Sequence, residues 1–304
     1  MSLPAEPPVV RGWAAERAAA RAARDFAAAD ALRARIEAAG WQVRDTPEGW
    51  QLAPRPPYPV AARPGDLPDR SGEADSHPLS VALLVEGWPQ DLRACVAALL
   101  RHAPAGTRVL GLDLGNVDGA GDALHELAGA YPDRVQAWHL AGSPGWGEGR
   151  RALLRLDTAA VHVVMETSTL LEGDALTPLL AALADPGVVA AGWQGVVVAP
   201  DWRSFTPAGA GEVHALLGYL FAVRRRAALD SGGPDRRARF YRNADLEWGL
   251  ALRAAGGRLV AVPDLPVRQT RHRGFHDSDP AYRERESRRT YDRLLRRFRD
   301  GGRP

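Results

Sequence analysis

From Leu79 onward, short apolar runs alternate with stretches in which apolar residues recur every three or four positions. This is the pattern of β-α units building a mainly parallel sheet: strands buried on both faces are apolar throughout, while the covering helices need one apolar stripe. Strands are expected at residues 80–85, 108–113, 135–140, 161–165 and 258–262, with helices at 90–102, near 122–130, and at 148–156 and 244–255. Past Pro280, Tyr291, Leu294, Leu295 and Phe298 stand at i, i+3, i+4 and i+7, which predicts a helix over 280–298.

The first 52 residues differ in character. An alanine-rich helix is expected over 13–23, and Asp25 is placed to cap a second helix over 26–39 that Gly40 ends. Phe26, Ala29, Leu32 and Ile36 roughly mark its apolar stripe. Residues 41–44 and 50–52 suit a short hairpin around Thr46-Pro47-Glu48-Gly49. So small a unit buries little surface and is expected to pack on something else. Residues 53–78 carry seven prolines and little apolar periodicity, the composition of an extended linker. The expected organisation is a helical appendage at 1–52, a proline-rich linker at 53–78 and a large α/β domain at 79–304.

With 45% hydrophobic and 25% charged residues, the 304-residue chain has the composition of a soluble globular protein. Its formal charge is +2, and all 39 basic residues are arginine. The lack of lysine is read as genomic base composition, although guanidinium groups remain the better bidentate partners for phosphate. A single cysteine, Cys95, excludes an intramolecular disulfide and a cysteine-built zinc site. Neither a basic-then-apolar leader nor a membrane-length apolar window is present, so the expected location is cytoplasmic, without a membrane span.

Ligands of open α/β sheets bind beyond the carboxyl ends of the strands. Two strand-ending acids are therefore informative: Asp113 after Val109-Leu-Gly-Leu, and Glu166 after Val163-Val-Met. A carboxylate at the first place can accept from a base or ribose, and one at the second can hold a metal on a diphosphate. Both can equally do no more than cap the turns that follow.

Longer stretches bear on that choice. They are Val109-Leu-Gly-Leu-Asp-Leu-Gly-Asn-Val-Asp-Gly119, the glycine-rich Gly145-Trp-Gly-Glu-Gly-Arg150, the run from Gly218-Tyr-Leu-Phe to Gly232-Gly-Pro-Asp235, and Asp245-Leu-Glu-Trp-Gly-Leu through Pro263. Through these the chain, from about Leu79 to Phe275, resembles family 2 glycosyltransferases. The resemblance implies an α/β, GT-A-like (Rossmann-like) fold, with a mixed, mainly parallel sheet flanked by helices behind the helical appendage. It implies transfer of a sugar from a nucleotide-diphosphate donor to an unknown acceptor. By the same resemblance Glu86, Asp113, Arg150 and Glu166 would meet the donor nucleotide, Asp245 and Glu247 would be catalytic, and Glu166 and His272 would hold a divalent metal, Mn or Mg.

Several family positions are altered. Glu166-Thr167-Ser168 stands for Asp-x-Asp, which weakens the metal site, and Arg242-Asn243-Ala244-Asp245 stands for Glu-Asp-x-Asp. Asn cannot take a proton from an acceptor hydroxyl. Gln269 replaces the expected late histidine, although His272 and His276 lie close, and Arg151 replaces an asparagine. Three readings stay open: an active transferase with a shifted constellation, in which Arg150 or Arg151 neutralises the leaving diphosphate; a catalytically inactive nucleotide-, sugar- or RNA-binding module; or a bare scaffold.

Near the N-terminus, Arg21-Ala-Ala-Arg-Asp-Phe-Ala-Ala-Ala-Asp-Ala-Leu-Arg33, then Gly40-Trp41 and Asp45-Thr46-Pro47-Glu48-Gly49, resemble the C-terminal region of cysteinyl-tRNA synthetases. That implies RNA as a partner, against the plainer reading of a packing or dimerisation unit. From Arg268 to Pro304 twelve arginines face six acids, which suits a solvated helix face, or contact with phosphate or RNA.

Overall fold

The structure is a computed structural model that describes residues 5–46, 49–202 and 204–299. Its central sheet has eight strands, in the spatial order Gly211–Val213, Arg258–Ala261, Val188–Gly192, Leu220–Arg224, Ala159–Met165, His77–Val85, Arg108–Asp113 and Val135–His139. The last four run parallel to one another, and Leu220–Arg224 is antiparallel to both its neighbours, so the sheet is mixed.

Alternation along His77–Val85 fills both faces of this sheet, since successive side chains of a strand point opposite ways. Leu79, Val81, Leu83 and Val85 pack with Leu92, Val96 and Leu99 of the helix Pro89–His102. Ala82 and Leu84 pack on the other side with Leu153 and Leu156 of the helix Trp146–Leu156. Each fully buried leucine contributes about 1.5–3 kcal/mol of transfer free energy. A β-carbon on Gly149 would lie 2.7 Å from Leu84, so this helix approaches the sheet only because position 149 has none.

The sequence offered no elements between Glu166 and the 218–224 region. There the helix Leu176–Ala182 leads to a small three-stranded sheet of Gly195–Val198, Phe205–Ala208 and Ala215–Leu216. The expected C-terminal helix spans Pro280–Leu294 and ends in a π turn, Leu295–Arg299. Leu294 and Phe298 bury their stripe against Leu250 and Val196.

The N-terminal unit comprises the helices Pro8–Ala22 and Phe26–Ala38 and the hairpin Trp41–Thr46 with Gly49–Pro54. Its first helix starts at Pro8 rather than near Trp13, because a proline at the first helical position lacks only an N–H that would have had no partner. Asp25 caps the second helix, accepting from the Ala28 amide at 3.0 Å. Phe26 departs from the expected stripe and is 58% exposed; Ile36 instead joins Val10, Ala14, Trp41 and Leu52. Pro47 and Glu48 of the turn lie outside the described residues.

The proline-rich stretch is extended, and it is also fastened down. Ala61 makes an isolated parallel bridge to Leu140, the Arg70 amide donates to Arg155 O at 2.8 Å, and the Arg225 guanidinium donates to Arg70 O at 2.6 Å. Prolines with fixed φ lose little entropy when such a strap docks. No helix among the described residues is long and apolar enough to cross a membrane.

Candidate active site

Glu86, Glu166 and Asp245 come together beyond the carboxyl ends of the central strands. The first two follow His77–Val85 and Ala159–Met165, and Asp245 lies in the first turn of the helix Ala244–Ala254. One turn of chain carries two of them: the Glu166 amide donates to Tyr219 O at 3.1 Å, and the Gly218 amide donates to Asp245 Oδ2 at 2.9 Å. Asp245 Oδ1 accepts from the Leu246 amide at 2.9 Å. Burial raises the Asp245 carboxyl from 3.8 to about 6, aided by the Glu166 charge and opposed by both amides.

Glu86, Glu166, Ser168 and His272 line one recess with Trp88 and Arg273. Crowding by the recess walls, with Glu166 beside it, pushes the Glu86 carboxyl up to about 7. Its residue is nevertheless open to water on one side, and that screening blunts the shift.

Arg150 is turned inward. Its guanidinium donates to Glu166 Oε1 at 3.0 Å and to the carbonyls of Ala82 at 2.7 Å and Met165 at 3.1 Å, so it neutralises Glu166 from behind. Arg151 binds the Gly232 and Pro234 carbonyls, pinning the loop between helices. Glu247 is directed away from the recess: it is 1% exposed and gripped by Arg293 at 2.5 and 2.8 Å.

His272 does not fit the metal role inferred from resemblance. Its Nδ1 accepts from the Phe275 amide at 3.0 Å and caps the short helix Arg273–His276. A neutral imidazole that accepts at Nδ1 carries its proton on Nε2, leaving no lone pair there for a cation. That Nε2 lies 3.8 Å from Glu166 Oε2. Ser168 Oγ accepts from Gln269 Nε2 at 2.7 Å. Among the described residues no three carboxylate, imidazole or thiol groups are arranged to hold a metal.

Two tyrosines that sequence reasoning missed surround His272, with ring centres 5.9 Å away for Tyr219 and 4.6 Å for Tyr241. Burial raises both phenol pKa values, so the hydroxyls stay protonated donors. Their only sequence signal was adjacency to Gly218 and to the Arg242-Asn243 pair. Backbone strain also gathers here, since Trp88 and Asn243 have φ of +58° and +68°. Asn243 Nδ2 donates to Ser287 O at 3.1 Å, which turns the residue toward the C-terminal helix.

Asp113, expected to meet the nucleotide, is 4% exposed. Its Oδ1 accepts from the Asn116 amide at 3.1 Å and side chain at 2.6 Å, and its Oδ2 lies 3.4 Å from His139 Nδ1. Beside it sits Tyr58 of the proline-rich strap, stacked 4.0 Å from His139 and 4.5 Å from His125, with its hydroxyl donating to Asp122 at 2.9 Å. A β-carbon on Gly121 would come within 2.6 Å of Asp113 Oδ2 and 2.9 Å of the Tyr58 hydroxyl, so glycine is what lets the two converge.

No protein-family model matches the chain, and no curated protein sequence matches it. Among solved structures it is similar to GalNAc-T7 with UDP, GalNAc and Mn2+, with a TM-score of 0.60 and 15% identity over 72% of this chain and 48% of that one. It is also similar to the mannosyltransferase PcManGT from Pyrobaculum calidifontis in complex with GDP-Man and Mn2+, with a TM-score of 0.52 and 19% identity over 73% of this chain and 63% of that one. The chain thus matches less than two thirds of the length of either. At these identities the likeness establishes the fold, which is that of GT-A glycosyltransferases.

Proposed function

We propose that the chain is a glycosyltransferase of the family 2 type that moves a sugar from a nucleotide-diphosphate donor to an acceptor hydroxyl. The observation that carries this is Asp245: a carboxylate 7% exposed, fixed by two backbone amides, with its proton affinity raised to about 6 at the carboxyl edge of the sheet. A base poised just below neutrality is ionised yet still avid for a proton. In the reaction, the acceptor oxygen bonds to the anomeric carbon while its proton passes to Asp245. The bond from that carbon to the donor phosphate oxygen breaks, and its electrons leave on the nucleoside diphosphate.

Positive charge at the leaving phosphates is supplied by Arg242 and Arg273. Arg242 has no carboxylate partner among the described residues and lies 6.0 Å from the Phe275 ring, while Arg273 lines the recess beside Glu166 and is held there by Asp91 at 3.0 Å. Cations at the departing phosphates stabilise charge as it develops. Glu166, neutralised from behind by Arg150, would accept from donor hydroxyls. Release of nucleoside diphosphate from UDP-, GDP- and dTDP-sugars tests the reading. It should fall by about 10²-fold or more in Asp245→Asn, the usual scale for losing a general base, with donor affinity kept. If no donor turns over, the chain is a binding module and the reading fails.

A further inference from the structure

A large hollow that shares no lining residue with the recess lies along the helix Pro280–Leu294. It measures about 720 Å³, and a second hollow of about 440 Å³ adjoins it across Arg236 and Arg237. Together they are lined by eight arginines and four carboxylates. Some of that charge is satisfied internally: Arg293 by Glu247 and Asp235, Arg237 by Asp235, and Arg289 by Glu286. The guanidinium groups of Arg236 and Arg296 make no ion pair or hydrogen bond with any described residue, and that of Arg239 meets only the Pro144 carbonyl among them, at 3.1 Å. Glu148 lines the same hollow, and its Oε2 is buried without a hydrogen-bond partner.

We infer that this hollow binds the acceptor, and that the acceptor is a phosphorylated saccharide; the inference rests on the transferase reading above. Convergent unpaired guanidiniums offer more N–H donors than one carboxylate can use, whereas a phosphate presents several charged oxygens to them. Glu148 Oε1 lies 4.0 Å from Arg155, and its buried Oε2 has no partner; a sugar hydroxyl in the hollow would supply one once the side chain turns outward. Position agrees with chemistry. Arg239 lines the hollow, and Tyr241, two residues on and so at most about 7 Å away along the chain, has its ring centre 4.6 Å from that of His272 in the recess. Tyr282 lies within electrostatic reach of both Glu286, which lines the hollow, and Glu86, which lines the recess.

Calorimetric titration of the full chain with glucose 6-phosphate, glucose and a short single-stranded RNA tests this without turnover. Glucose 6-phosphate should bind, and glucose should bind at least tenfold more weakly. Arg236→Ala/Arg296→Ala should lose at least tenfold in glucose 6-phosphate affinity while keeping its melting temperature and its affinity for UDP or GDP. Glu148→Gln should weaken glucose 6-phosphate more than inorganic phosphate. Equal affinity in the double arginine variant overturns the proposal, as does RNA binding with glucose 6-phosphate ignored. The transferase reading stands or falls separately, on Asp245→Asn and nucleotide release.

Discussion

Arg293 holds both carboxylate oxygens of Glu247, at 2.8 and 2.5 Å, across 46 residues of sequence. This pair joins the C-terminal helix to the helix that opens with Asp245, and it makes Glu247 a structural partner. Arg293→Ala would leave a carboxylate buried without its cation, a loss of roughly 3–5 kcal/mol. Urea unfolding should record it, and a loss below about 1 kcal/mol would mean that water replaces the guanidinium.

Asp245 makes stability depend on pH. Folding raises its pKa from 3.8 to about 6, so the folded state holds the proton more tightly. The linked stability is full below 3.8 and is lost as pH rises through about 6, in total on the order of 2–3 kcal/mol. Asp245→Asn should flatten the unfolding free energy across this window. It also leaves one of the two backbone amides without an acceptor, so the slope is the quantity to compare. An unchanged slope would assign the titration to another group. Turnover should rise with pH through the same inflection.

Tyr58 covers the side of Asp113 that faces the strap. Tyr58→Ala should raise UDP or GDP affinity in calorimetry, because a protein whose competent state is only partly populated binds in proportion to that fraction. Weaker binding would show instead that the ring is part of the nucleotide surface. Asp113→Ala should weaken nucleotide binding and cost about 1–3 kcal/mol as well, since the Asn116 donors are left unpaired.

The His272 cap predicts a weak response to metal. Mn2+ added to ligand-free protein should leave the melting temperature unchanged, since a ligand raises it only by binding the folded state. Tight binding would require the bond between His272 and the Phe275 amide to open, and Phe275 would report this as a shifted amide resonance.

Much of the scaffold was legible in the sequence because its signals are local. Apolar periodicity located five strands of the central sheet but not Val188–Gly192, which pairs parallel with Arg258–Ala261; Asp25 announced its helix, and strand-ending acids marked the edge where Glu166 and Asp113 lie. Part of what escaped depended on residues distant in sequence: nothing near Glu247 reveals Arg293, and nothing near Asp113 reveals Tyr58. The His272 cap is local, but which ring nitrogen faces the Phe275 amide is set by the folded backbone. The small sheet around Gly195–Val198 was missed because its strands are too short for period two to emerge.

The left-handed backbone of Asn243 has a consequence for anyone who would restore the missing acid by design. Its side chain donates to Ser287 O, so an aspartate written at 243 would set oxygen against oxygen while remaining turned from the recess. One letter is therefore insufficient. That oxygen belongs to the main chain of the helix Pro280–Leu294, so no side-chain replacement there removes it, and a functional revertant must instead turn the backbone at 243 out of its left-handed state.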